Sequence, residues 1–165
     1  MGDAGRHRDP GPRPSRRGAA KKGGQDAQAL GRSRGGFGTK LHVCVDALGL
    51  PVRLAVGPGQ QNDMAPACAL IDGVDADEVI ADKAYDADRL FQKVIDQGGD
   101  PVIPPRRHRK RQHAYDRALY KERNRVERFF SRIKHFRRIA TRYDKLARNY
   151  LASVYLAAIL IYWIN

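Results

Sequence analysis

Leu41, Val43 and Val45 alternate with Lys40, His42 and Cys44, and Val52, Leu54 and Val56 repeat the pattern a few residues later. No other stretch ties the chain so tightly to one local geometry. A period of two is that of a half-buried strand. Ala47-Leu48-Gly49 supplies a turn between the runs, so residues 39 to 57 are expected to form a β-hairpin. Gly57-Pro58-Gly59 ends it. Asn62 or Asp63 caps a helix reaching about Ile71. Glu78 to Ala81 is a short apolar run closed by Asp82, which suits a buried strand. Asp86 or Asp88 opens a second helix, with Leu90, Phe91, Val94 and Ile95 on one face and Gly98-Gly99 as its stop. Pro101 to Ile103 gives a last short strand before Pro104-Pro105. From about Tyr115 the chain is helical, with a break near Thr141. Hairpin, helix, strand, helix, strand and long helix together predict an α/β domain without internal repeats.

Residues 1–36 stand outside that plan. They hold nine Gly, three Pro and nine Lys plus Arg, with Met1 and Leu30 as their only large aliphatic side chains. Nothing there builds a core, so the segment is expected to be disordered. Residues 37–165 then form one domain, a length that supports a sizeable core. The net charge of +13 is segregated. Arg106 to Arg148 carries 17 Lys plus Arg against 4 Asp plus Glu, and the remainder carries 14 of each. A neutral part joined to a strongly basic helical part points to a polyanion, foremost nucleic acid. The plain alternative is a basic surface without a partner. Cys44 and Cys68 have no metal or redox spacing and read as buried free thiols of a reducing cytoplasm. No apolar leader segment is present, so no signal peptide is expected. Tyr150 to Ile164 is apolar throughout but shorter than the roughly 20 residues a bilayer requires. It is expected to be a buried helix rather than a membrane span.

Inside the basic part, Tyr120, Arg123, Glu127 and Lys134 follow the register Y-x2-R-x3-E-x6-K. At about 100° per residue they share a helical arc roughly 60° wide. Leu119, Val126, Phe130 and Ile133 fill the neighbouring arc, and Lys121, Arg125, Arg128 and Arg132 the far side. The seam between these faces holds one carboxylate, two cations and a phenol, a set that suits a metal bound beside phosphates. For Glu127 the ordinary alternative is a surface ion pair with Arg123 or Arg128. For Asp82, at a strand end, it is a capping or turn role. The run Arg106-Arg107-His108-Arg109-Lys110-Arg111 reads as a mobile, non-specific DNA contact, or as a merely solvated loop.

The register resembles the signature around the last acid of DDE transposases from bacterial insertion sequences. So do Gly31-Arg-Ser-Arg-Gly-Gly-Phe-Gly-Thr-Lys40, Val79-Ile-Ala-Asp82-Lys-Ala-Tyr85-Asp86 and Asp144-Lys-Leu-Ala-Arg-Asn-Tyr150. The resemblance covers roughly residues 18 to 165, with four blocks in the family's order. It implies a ribonuclease-H-like fold and phosphodiester cleavage and strand transfer at insertion-sequence ends. By the same resemblance Asp82 is the second acid and Glu127 the third, both ligands of Mg²⁺ (or Mn²⁺). Tyr120, Arg123 and Lys134 would touch phosphates of double-stranded DNA, in a homodimer within a transposition complex and away from any membrane. Two departures stand out. Ala84 replaces the family's usual Gly. The first aspartate, normally closing the first strand, has no counterpart: Asp3 and Asp9 lack flanking strand residues, Asp26 lies among Gly and Gln, and Asp46 falls on the hairpin turn. Gly5 to Arg13 resembles GC-rich coding sequence read out of frame. A one-base shift could turn it into Ala-Ile-Ala-Ile-Arg-Ala-His, similar to the stretch just after that aspartate in the family. The expectation is a partial fold lacking its first strand, with weak or absent two-metal catalysis. The competing readings are a non-catalytic DNA-binding remnant and a stand-alone nuclease.

Overall fold

The alternating runs fold as a hairpin. The structure, a computed structural model, describes residues 2–3, 28–33 and 36–163. Its strands are β1 (Gly2–Asp3), β2 (Gly31–Ser33), β3 (Gly36–Val45) and β4 (Pro51–Pro58). Strand β3 pairs antiparallel with β4 from Thr39 opposite Pro58 to Val45 opposite Pro51, with an irregularity between Cys44 and Val45. Asp46 makes the turn: its Oδ1 accepts from the amides of Leu48 and Leu50. That engagement is the ordinary role of a turn aspartate. Ordered pairing also begins before Phe37, because β2 pairs antiparallel with Gly36 to Gly38. Most of residues 1–36 lie outside the described residues, and so do the side chains of Asp3, Asp9 and Asp26. The backbone of Gly2–Asp3 nevertheless pairs with Val43 and His42 along the edge of β3.

After the hairpin come helix α1 (Met64–Leu70), β5 (Glu78–Ile80), a 3-10 turn (Lys83–Tyr85), α2 (Asp88–Asp96) and β6 (Asp100–Val102). Asn62 Oδ1 accepts from the Met64 amide at the start of α1. At the end of α2 the amides of Gly98 and Gly99 bond to the carbonyls of Ile95 and Val94, with Gly98 at φ 87°. This is a glycine stop of the kind expected from the sequence. Strands β5 and β6 pair in parallel and form a sheet of their own, separate from β1–β4.

The helical part is more broken than a single helix from Tyr115. A 3-10 segment (Leu119–Arg123) leads into α3 (Asn124–Ile133), then α4 (Arg137–Ala140) and α5 (Ala147–Trp163). Two apolar cores result, one on each face of the hairpin. Leu41, Val43 and Leu54 pack against Val126, Phe129, Phe130 and Ile133 of α3 and Val154, Ala157 and Ala158 of α5. On the opposite face Cys44 and Ala55 meet the core formed by α1, α2, Ala81, Tyr85 and Ile103. The strands expected to be half-buried are therefore covered on both sides, which is why His42 is buried. Burial pushes the Cys44 thiol up, so it stays protonated.

The buried Arg142 fastens the ends of the fold together. Its guanidinium donates to the carbonyls of Gln28, Ala29, Asp144 and Lys145 and to Thr39 Oγ1, and it lies over the Tyr150 ring. Helix α5 departs from the expectation of full burial. Tyr150, Val154, Ala157 and Ala158 face the core, while Tyr155, Leu156, Ile159, Leu160 and Trp163 are exposed. Among the described residues no helix is long and apolar enough to cross a membrane.

Candidate metal and phosphate site

Asp82 follows β5 by two residues, where the amide of Ala81 still bonds to the Val102 carbonyl of β6. Its backbone is extended (φ −68°, ψ 156°) and it stands at the N-cap of the 3-10 turn, yet its side chain makes no capping hydrogen bond. The carboxylate points instead toward the helical part of the chain. There the switch from 3-10 to α geometry at Arg123–Asn124 sets the relevant side chains. In a 3-10 turn, residues three apart eclipse one another. That aligns Tyr120 with Arg123 more closely than a continuous α-helix would, and the Arg123 guanidinium lies 5.6 Å from the Tyr120 ring centroid. Arg123 and Glu127, four apart, pair across one turn.

Arg123 is the meeting point. Its Nη2 donates to Glu127 Oε1 at 2.7 Å and its Nη1 approaches Asp82 Oδ2 at 3.5 Å. One guanidinium thus sits between two carboxylates from separate elements. Asp82 and Arg123 are about one-third exposed and Glu127 is 55% exposed, so the group opens to solvent. Glu127 also lies in the first turn of α3, where the helix dipole favours an anion. Burial pushes the Tyr120 phenol up from its ordinary value; Arg123 pulls the other way, and Asp82, Tyr115 and Glu127 add to the rise. The phenol keeps its proton at neutral pH and can donate. Tyr115 packs edge-on against it at 5.5 Å.

Four of the five expected site residues come together: Asp82, Tyr120, Arg123 and Glu127. The fifth, Lys134, is the exposed C-cap of α3 and makes no ion pair among the described residues. The helical-wheel arc places it on the same side, but two turns farther along. The ion pair foreseen as the ordinary role of Glu127 is present, with Arg123 as partner. The capping role foreseen for Asp82 is not. As a donor set, two hard carboxylate oxygens already gathered around one cation fit a single hard divalent ion that keeps several waters. They do not fit a pair of ions. Among the described residues no cluster of three acids, histidines or cysteines is placed to hold a metal.

Sequence reasoning missed Asp86. It begins no helix; it is buried, and both of its oxygens are engaged. Oδ2 accepts from the Arg106 amide at 2.7 Å and Oδ1 from Arg109 Nη1 at 2.6 Å. The run 106–111 is therefore anchored, contrary to the expected mobile segment. The available signal was two acids, Asp86 and Asp88, facing an arginine-rich run across a strand and a helix.

The model of the transposase DDE domain matches residues 9–163. A protein of Brucella ovis named as a transposase for insertion sequence element IS6501 is 39% identical over 126 residues, covering 75% of this chain and 97% of that relative. One of Burkholderia cepacia named as a transposase for IS402 is 30% identical over 138 residues, 76% of this chain and 63% of that relative. No solved structure matches the chain. With its family model spanning nearly its whole length and a relative of this identity covered almost end to end, the chain belongs to the DDE transposase family of bacterial insertion sequences.

Proposed function

We propose that Asp82 and Glu127 hold a divalent ion, Mg²⁺ or Mn²⁺, beside DNA, and that this transposase cleaves phosphodiesters at the ends of its insertion sequence. The observation that carries the reading is Arg123, a cation already seated between both carboxylates. When bound, the ion would polarise a phosphoryl oxygen and activate water or a 3′-hydroxyl. The rest falls to this chain's side chains. Arg123, once off the acids, can fork onto a phosphate. Tyr120, protonated, donates its hydroxyl to a phosphate oxygen. Lys134 lies roughly 10 Å farther along α3 and acts as a point charge on a neighbouring phosphate.

We read the fold as ribonuclease-H-like. An antiparallel hairpin, a parallel pair and helices against both faces support that reading. The separation of β5–β6 from β3 supports a sheet without its first strand. In this reading residues 37–165 are the partial catalytic domain and residues 1–36 a basic segment, of which Gly31–Ser33 joins the sheet. The working form is a homodimer on two DNA ends, in the bacterial cytoplasm.

The test is cleavage of a labelled duplex carrying an insertion-sequence end, in Mg²⁺ and in Mn²⁺, with Glu127→Ala as control. Slow metal-dependent nicking that disappears in the variant supports the proposal; nicking that persists in it overturns the assignment of Glu127. A second reading, DNA binding without chemistry, is favoured by the lack of a third ligand among the described residues. It predicts binding without cleavage in either protein. Cleavage that never leads to strand joining would identify a stand-alone nuclease.

A further inference from the structure

The run 106–111 is folded, and the way it is folded singles out part of it. Besides its amide bond to Asp86, Arg106 donates through its guanidinium to the carbonyls of Lys83 (3.1 Å from Nε) and Ala84. These two residues belong to the 3-10 turn that follows Asp82. Arg109 pairs with Asp86 and Asp88, donates to the Arg111 carbonyl at 3.1 Å and lies 5.4 Å from the Phe91 ring centroid. Gln112 closes the loop, giving its Nε2 hydrogens to the carbonyls of Arg106 (3.0 Å) and Arg109 (2.9 Å). His113 Nε2 lies 2.9 Å from the Ile103 carbonyl, and its ring packs edge-on against Phe91. Arg109 is consumed by this scaffold. Arg107, Lys110 and Arg111 are exposed and have no carboxylate partner among the described residues.

A flexible basic tail needs no such anchoring, and a buried aspartate that fixes an arginine loop is costly unless every one of its bonds is made. We propose that residues 106–112 form a pre-shaped phosphate-contacting loop. Arg107, Lys110 and Arg111 would lie on a DNA backbone, and Asp86 would be the positioning residue that sets their spacing. Because Arg106 holds the turn after Asp82, a strand gripped by this loop is fixed relative to that carboxylate. The inference rests on the DNA-substrate reading and extends it to a surface outside the Tyr120–Lys134 register.

The sign of one substitution separates a shaped loop from diffuse charge. Asp86→Asn raises the net charge by one, so diffuse electrostatics alone would tighten DNA binding. A shaped loop loses its anchor and binds more weakly. The experiment is fluorescence anisotropy of the full chain on a duplex of about 30 base pairs, across a salt series. Arg107→Ala/Lys110→Ala/Arg111→Ala is expected to lose at least tenfold in affinity, with the salt slope reduced by about 0.9 for each contact removed. Asp86→Asn is expected to lose several-fold despite its added charge, and trypsin should cut its loop faster than that of the wild type. If Asp86→Asn does not fold, the triple variant, altered only at exposed positions, decides on its own. A triple variant that matches the wild type in affinity and slope, while the wild type binds, overturns the loop alone. A wild type that does not bind the duplex overturns the DNA reading as well. Asp86→Asn that melts like the wild type and binds as tightly or more tightly overturns the positioning role.

Discussion

Arg123 answers to two acids at once, and any divalent ion reaching Asp82 and Glu127 has to compete with its guanidinium for the same oxygens. Arg123→Ala should therefore tighten Mn²⁺ binding to the free chain by about two- to fivefold, the scale of a solvent-screened ion pair. Glu127→Gln should weaken it, and titration calorimetry reads both. The same Arg123→Ala change should weaken DNA binding if, as proposed, the released guanidinium forks onto a phosphate. A purely structural arginine would give no such opposition. His42 makes a different point. It is buried on β3, and among the described residues neither ring nitrogen has a hydrogen-bond partner. Burial depresses its pKa; Asp63 raises it and Lys40 lowers it. The folded state thus disfavours the imidazolium. Its contribution to stability is full above the unfolded pKa of about 6.5 and is lost as pH falls below that value toward the folded one. Melting temperature should drop from pH 8 to pH 5.5, at no more than about 1.4 kcal/mol per pH unit from this group. His42→Leu should flatten that part of the profile. The site register was legible because residue types and spacing alone place Arg123 beside Glu127. His42 was not legible as a buried group, since alternation reports one covered face and says nothing about a second layer.

At the scale of elements, the hairpin, α1, α2 and the two short strands appear where alternation, caps and glycines put them. These signals are local, and each element satisfies its own. The 3-10 segment Leu119–Arg123 was invisible, because apolar spacing does not distinguish three residues per turn from 3.6 over five positions. The anchored loop 106–112 was invisible for another reason: its shape is set by Asp86, 20 residues back from Arg106. The glycine stop of α2 shows how closely the local signals are tied to packing. A Cβ built on Gly99 would lie 2.6 Å from the Ala76 carbonyl oxygen and 3.3 Å from Val94 Cγ1. The nearest atom is backbone and cannot move aside cheaply. Gly99→Ala should cost about 1–3 kcal/mol, visible as a lowered midpoint in urea with an unchanged slope. A variant as stable as the wild type would mean that residues 76–77 ahead of β5 and the start of β6 shift apart freely, contrary to the hydrogen bond between the Asp100 amide and the Asp77 carbonyl at 2.7 Å.

The whole molecule joins an acidic α/β part, residues 37–105 with 5 Lys plus Arg against 11 Asp plus Glu, to a cationic helical part whose last described element, α5, has two apolar faces. Helix α5 covers the hairpin with one face and leaves Tyr155, Leu156, Ile159, Leu160 and Trp163 exposed, of which Tyr155 reaches back through its hydroxyl to the Leu54 carbonyl at 3.5 Å. These positions recur at helical spacing over more than two turns, and Leu156 and Trp163 are 63% and 76% exposed. A helix apolar all round belongs in an interior, and an exposed stripe of this kind marks a contact surface. If the proposed homodimer uses this face, the cations of one copy must still be kept from those of the other. Association should then strengthen with salt, while DNA binding weakens with it. Light scattering of the full chain between about 0.1 and 0.5 M salt should show a shift toward dimer. Leu156→Glu should hold the protein as a monomer without lowering its melting temperature, since Leu156 is absent from the packed core. A Leu156→Glu protein that still dimerises would remove α5 from the interface. A wild type that stays monomeric throughout the salt range would remove the dimer.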